Sequence, residues 1–169
     1  IIANPNCTTA IMAVAVYPLH KAKKVRRLIA STYQAASGGG APAMQELIDQ
    51  SRAVLEGKPV EVKVMAQRIA FNLFPHIDSF KENGYTKEEI KMVNETKKIM
   101  HAPEMLITCT SVRVPVLRAH FLHQERIGIH MPADKIQQIA RHNGIGQCIP
   151  LFDGIFDVNA GNFVRIQCG

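Results

Sequence analysis

Tryptophan is missing from this chain of 169 residues, and aromatic residues of all kinds make up only 6% of it. That scarcity argues against a single-stranded nucleic-acid surface, which works by stacking bases on aromatic rings between basic side chains. The densest basic run, "HKAKKVRR" from His20 to Arg27, holds no aromatic residue. It reads as a solvated face, and the formal charge of +6 suits an anionic small substrate equally well. Long apolar runs are absent too: the longest, Ile11 to Leu19, contains Pro18 and falls far short of the ~20 residues that cross a bilayer. The opening "IIANPN" has no basic segment of a signal peptide. Cysteine is sparse, and Cys7, Cys109, Cys148 and Cys168 form neither a CxxC pair nor a metal-ligand spacing. A disulfide framework and a zinc site are therefore not expected, and a reducing compartment is. His120 and His123 make at most a pair of metal ligands, with no third nearby.

What remains is a composition of 47% hydrophobic and 20% charged residues, which describes a soluble globular domain with a real core. The pattern predicts a helix from about Thr8 to Lys23, a strand at Val25 to Tyr33, and a Gly-rich turn at "QAASGGGAPA". An amphipathic helix follows from Met44 to Leu55. "IAFNLFPHIDSF" (Ile69 to Phe80) reads as partly extended and broken at Pro75. "TKEEIKMVNETKKIM" is the clearest helix, with Thr86 as N-cap and Glu89 closing a capping box. "EMLITCTSVRVPVL" is a β-branched strand interrupted by Pro115. After His120 only one helix is expected, Ala133 to His142, and the rest has little pattern. The expected fold class is α+β, a sandwich of helices packed on a mixed β-sheet.

The chemistry-bearing residues begin in "NPNCTTA". Asn4, Pro5 and Asn6 form a turn, so Cys7 falls at a helix N-terminus, where the dipole favours a thiolate and backbone N–H groups can hold an oxyanion. A small turn cysteine satisfies the same seven residues. A nucleophile needs a base and a grip on substrate, and "SVRVPVLRAH" offers both. Arg113 interrupts a β-branched run, where a cation requires an anionic partner, and His120 follows the strand. A salt-bridged strand arginine and a surface histidine are the alternative.

Taken in order and at their separations, "NPNCTT", "STYQAASGGG", "AFNLFPHIDSF", "ENGYTKEEIKMVNETKKIM" and "VRVPVLRAH" resemble the catalytic and dimerisation domain of the aspartate-semialdehyde dehydrogenases. The resemblance covers residues 1–120. It implies a fold like the C-terminal catalytic domain of glyceraldehyde-3-phosphate dehydrogenase-type enzymes. It also implies an NADP-dependent reductive dephosphorylation of aspartyl phosphate to aspartate semialdehyde through a cysteine thioester, on the route to lysine, threonine and methionine. By resemblance, Cys7 is the acylated nucleophile with Asn6 beside it, Gln34 orients the substrate, and His120 is the general acid/base. Arg113 binds the substrate carboxylate, Lys91 belongs to the phosphate and substrate pocket, and Glu88 lies near the substrate amino group, with Glu89 as a rival. Ser37 and Gly38 form the turn near the nicotinamide. The resemblance further implies a homodimer, a small-molecule substrate with no nucleic-acid or membrane partner, and a cytoplasmic or plastid stromal location.

The chain departs from this family in places. The N-terminal NADP-binding domain has no counterpart, because "SGGGAPA" lacks the G-x-G-x-x-G spacing and the downstream acid. Ser111 stands where the family usually has cysteine. Residues 121–169 form a divergent tail without the family's continuation. The chain therefore reads as a fragment of a larger enzyme. Two other readings remain: a related acyl-phosphate reductase, such as an acetylglutamyl phosphate reductase, and a catalytically incompetent oligomerisation or binding module.

Overall fold

The computed structural model describes residues 1–128, residue 138 and residues 163–168. In chain order the elements are α1 (Cys7–Ala22), β1 (Arg27–Gln34), a 3-10 turn (Ala36–Gly39), α2 (Gly40–Leu55), α3 (Lys87–Ile99), β2 (Leu106–Arg113), β3 (His120–Gly128) and β4 (Phe163–Cys168). The strands form one sheet in the order β2-β1-β3-β4. Leu106 N donates to Arg26 O and Val114 N to Gln34 O, each at 3.0 Å. The equal offset at the two ends makes β1 and β2 parallel. β3 and β4 pair antiparallel, Leu122 opposite Cys168 and Gly128 opposite Phe163, with an irregularity between Gln124 and Ile127. The sheet is thus mixed, as the α+β expectation holds.

The expected elements need adjustment at their ends. α2 starts at Gly40, inside the segment read as a turn, because Pro42 falls in the first helical turn, where a missing N–H breaks no intrahelical bond. β2 closes at Arg113, before Pro115. Ile69 to Phe80 is mostly irregular, with single antiparallel bridges at Phe74 to Arg113 and Phe80 to Thr86. Two strands, β3 and β4, occur where the pattern gave none. The helix expected from Ala133 to His142 lies outside the described residues.

The chain forms two compact units. The first takes in Ile1–Ser31 and Ile90–Cys109, with the C-terminal strands. Its core joins Met12, Ala15, Val16 and Leu19 of α1 to Leu28 and Ala30 of β1 and Met92 of α3, so the helices pack on the sheet. Val25, Met100, Met105 and Cys109 complete it; the unbranched thioethers of methionine fill irregular gaps between helix and strand.

The second unit comprises Thr32–Glu89 and Thr110–Phe121. Its smaller core is Ala36, Leu47, Ile69, Ala70 and Phe74. A buried polar pair one turn apart on α2 organises the loop that follows the helix. Glu46 accepts the backbone N–H groups of Lys63, Val64 and Met65 at 2.7 to 3.0 Å. Gln50 Oε1 accepts those of Ile69 and Ala70, while its Nε2 donates to Glu46 and to the carbonyl of Glu61. These side chains do the work of a missing strand partner, and for the buried Ile69 and Ala70 the N–H groups must find acceptors within the protein.

Candidate active site

In the first unit, Asn6 is the N-cap of α1, with its Oδ1 accepting from Thr8 N at 3.1 Å and Thr9 N at 3.2 Å. Cys7 is then the first helical residue, exposed and outside any disulfide. No acidic residue occurs in the first turn of α1 itself, so any negative charge at its positive end must come from another element. The N–H of Asn6 is accepted by Glu95 of α3 at 2.7 Å. Lys91, also of this unit, is half-buried on α3.

In the second unit the parallel strands end in polar residues. Along β1 the buried positions run from Leu28 and Ala30 to Thr32 and Gln34, and along β2 from Cys109 to Ser111 and Arg113. A period of two places each series on one face. Gln34 Nε2 donates to Glu88 Oε1 at 2.9 Å and to Thr32 Oγ1 at 3.3 Å. Glu89 is used differently. Its Oε2 accepts from Thr86 N and Thr86 Oγ1, both at 2.8 Å, and its Oε1 from Ser111 N at 2.9 Å. Glu89 is therefore the capping carboxylate, and of the two rivals only Glu88 meets Gln34.

Arg113 is buried, and its Nη1 donates to the carbonyl of Ala35 at 2.8 Å. His120 Nδ1 accepts from the N–H of the same residue at 3.3 Å. With Nδ1 committed as an acceptor, the neutral imidazole carries its proton on Nε2. Both side chains close on the 3-10 turn. A Cβ added at Gly38 would stand 2.7 Å from Arg113 Nη1 and 3.3 Å from His120 Nε2, so only glycine lets this backbone approach so near. The turn is fixed to the approach to His120, because Ala36 N and Ser37 N donate to the carbonyls of Val116 and Leu117. Ala119, immediately before His120, has φ of 78°, a strained value for a residue with a side chain.

Of the residues named from sequence, Gln34, Ser37, Gly38, Glu88, Arg113 and His120 lie in the second unit, and Asn6, Cys7 and Lys91 in the first. Together the second-unit groups make a guanidinium, an imidazole with an Nε2 proton, and a carboxylate oriented by an amide. Such a set can hold a zwitterionic substrate and move a proton. Sequence reasoning missed Glu95. The signal was present, because Glu88, Lys91 and Glu95 fall at i, i+3 and i+7, one face of a helix. Among the described residues, no group of three His, Cys, Asp or Glu side chains could hold a metal, and no helix is long and apolar enough to cross a membrane.

Residues 16–139 match the family model described as the semialdehyde dehydrogenase dimerisation domain. The chain is 55% identical over 120 residues to an aspartate-semialdehyde dehydrogenase of Synechocystis, covering 71% of this chain and 36% of that protein. It is 50% identical to one from Legionella pneumophila over 71% of this chain and 35% of the other. A crystal structure of aspartate semialdehyde dehydrogenase II from Vibrio cholerae, complexed with ASA, gives a TM-score of 0.81. Identity there is 41%, over 85% of this chain and 43% of that one. The chain spans little more than a third of the length of the curated relatives it matches.

Proposed function

The chain belongs to the semialdehyde dehydrogenase family by its dimerisation domain, and on that premise we propose that it carries the catalytic residues of an aspartate-semialdehyde dehydrogenase. In the biosynthetic direction the thiolate of Cys7 attacks the acyl carbon of aspartyl phosphate. The carbon–oxygen bond to phosphate breaks, phosphate leaves, and a thioester remains on Cys7. NADPH, when bound, supplies the hydride that reduces this thioester.

The chain's own residues bind, orient and move protons. Arg113 pairs with the substrate carboxylate, and a bidentate grip makes the attack effectively intramolecular. Glu88, oriented by Gln34, takes the amino group, and Lys91 serves the phosphate side. Cys7 enters as the thiolate that its helix end favours. His120 holds its Nε2 proton against the oxyanion that reduction leaves on the former acyl carbon, and collapse of that oxyanion expels the thiolate and releases aspartate semialdehyde. Asn6 caps the helix that carries Cys7. The Ser37 and Gly38 turn fits a place beside a flat nicotinamide ring, since its backbone comes up to Arg113 and His120 with no side chain intervening.

The observation that carries this reading is that Arg113 and His120 meet at the backbone of Gly38. The dimerisation-domain match supports a homodimer of the whole protein. In the full-length protein, Cys7→Ala is expected to abolish phosphate-dependent NADP reduction with aspartate semialdehyde, because this reading gives the acyl-enzyme to the Cys7 thiolate. Survival of that activity in Cys7→Ala would overturn the reading. Turnover of an acetylglutamate semialdehyde in its place would assign the site to the related acyl-phosphate reductases.

A further inference from the structure

An N-cap residue has a backbone N–H of its own that lies outside the helical ladder. In a capping box that N–H is taken by a Glu or Gln side chain three residues on. Here that residue is Thr9, which cannot serve. The acceptor comes instead from a distant part of the same unit: Glu95 Oε2 takes the N–H of Asn6 at 2.7 Å across a separation of 89 residues. Asn6 Oδ1 meanwhile binds Thr8 N, Thr8 Oγ1 and Thr9 N, so both ends of Asn6 are held. Cys7 is the next residue. The capping box of α1 is thus completed from α3, on the helical face that also bears Glu88 and Lys91.

We propose that Glu95 is a positioning residue for Cys7: by holding the N–H of Asn6 it locks the N-cap and keeps the thiol at the positive end of α1. The inference rests on the reading of Cys7 as the acylated nucleophile. Glu95 also brings a negative charge toward that helix end, which by itself disfavours a thiolate. Charge and anchoring therefore act in opposite directions and can be separated by substitution.

The test is the rate at which iodoacetamide alkylates Cys7, read peptide by peptide by mass spectrometry on the intact protein from below neutrality to about pH 9. Glu95→Gln removes the charge and keeps an acceptor of the same reach. Glu95→Ala removes both, and Glu95→Asp keeps the charge on a stem too short to reach Asn6. Buried Cys109 is the internal control. Cys7 of Glu95→Gln should react at least as fast as in the parent. In Glu95→Asp it should react about threefold more slowly near neutrality, the size of a helix-terminus effect, with its pH midpoint displaced upward and Cys109 still protected. Glu95→Ala, which sheds the charge as well as the anchor, should fall between Glu95→Asp and Glu95→Gln. Equal Cys7 rates in all three variants would overturn the inference. So would a change in Cys7 seen only together with new labelling of Cys109, which marks general loosening. The nucleophile reading is judged separately, on the parent alone: a Cys7 no faster than the amino acid cysteine counts against it.

Discussion

His20 closes the core side of α1 with a buried imidazole whose Nδ1 accepts the N–H of Val25 at 3.1 Å. Burial, followed by the neighbouring charge of Lys24, pushes its pKa below the ordinary value of 6.5. The unfolded chain therefore binds the His20 proton more readily than the folded one. The stability that neutral His20 contributes is complete above the unfolded value and is lost as pH falls from there through the lower folded value. The melting temperature should be level above neutrality and decline below about pH 6.5. In His20→Asn, which keeps an acceptor but cannot titrate, melting followed by circular dichroism should show a shallower acid decline. An unchanged acid slope would remove His20 from the account. At this scale the sequence told much about α3. Thr86 and Glu89 are spaced as a capping box, and Glu89 is used in that cap. Gln34 as the partner of Glu88 was beyond reach of local pattern, because the two are 54 residues apart.

Among the elements, α2 shows most clearly what periodicity conveys and what it omits. Leu47 and the partly buried Met44 mark its apolar face, but Glu46 and Gln50 look like surface residues until the loop is in place. Three glycines before "APA" hid its first turn, since glycine in sequence signals a turn more often than a helix start. Glu46→Ala would leave the N–H groups of Lys63, Val64 and Met65 without their acceptor. These groups are only partly buried, so at about 0.5 to 1.5 kcal/mol net for each hydrogen bond lost, a loss of roughly 2 kcal/mol is expected in urea denaturation. Glu46→Gln, which keeps one acceptor oxygen, should lose less. Equal stability of the two variants would mean that water satisfies the loop when the carboxylate is gone.

Over the whole molecule, the parallel pairing of β1 and β2 could not be read from either strand, because both show only alternation. What could be read was Arg113 as a cation inside a β-branched strand, whereas Gln34 was assigned to the Gly-rich turn and is the last residue of β1. The strands β3 and β4 escaped because the residues that pair them are separated by a long stretch, and a strand declares itself through its partner as much as through its own pattern. Proton exchange with solvent exposes a different consequence of the polar pair on α2. Irregular loops normally exchange their amide protons fast, as each opens alone. The amides of Lys63, Val64, Met65, Ile69 and Ala70 are all held by Glu46 and Gln50, so they can open only when α2 lets go of them. In deuterium exchange these five should become labelled at the pace of α2. Glu61 and Val62, whose N–H groups neither side chain holds, should be labelled early. Five amides of a loop without strand or helix would then report the opening of a helix they do not belong to.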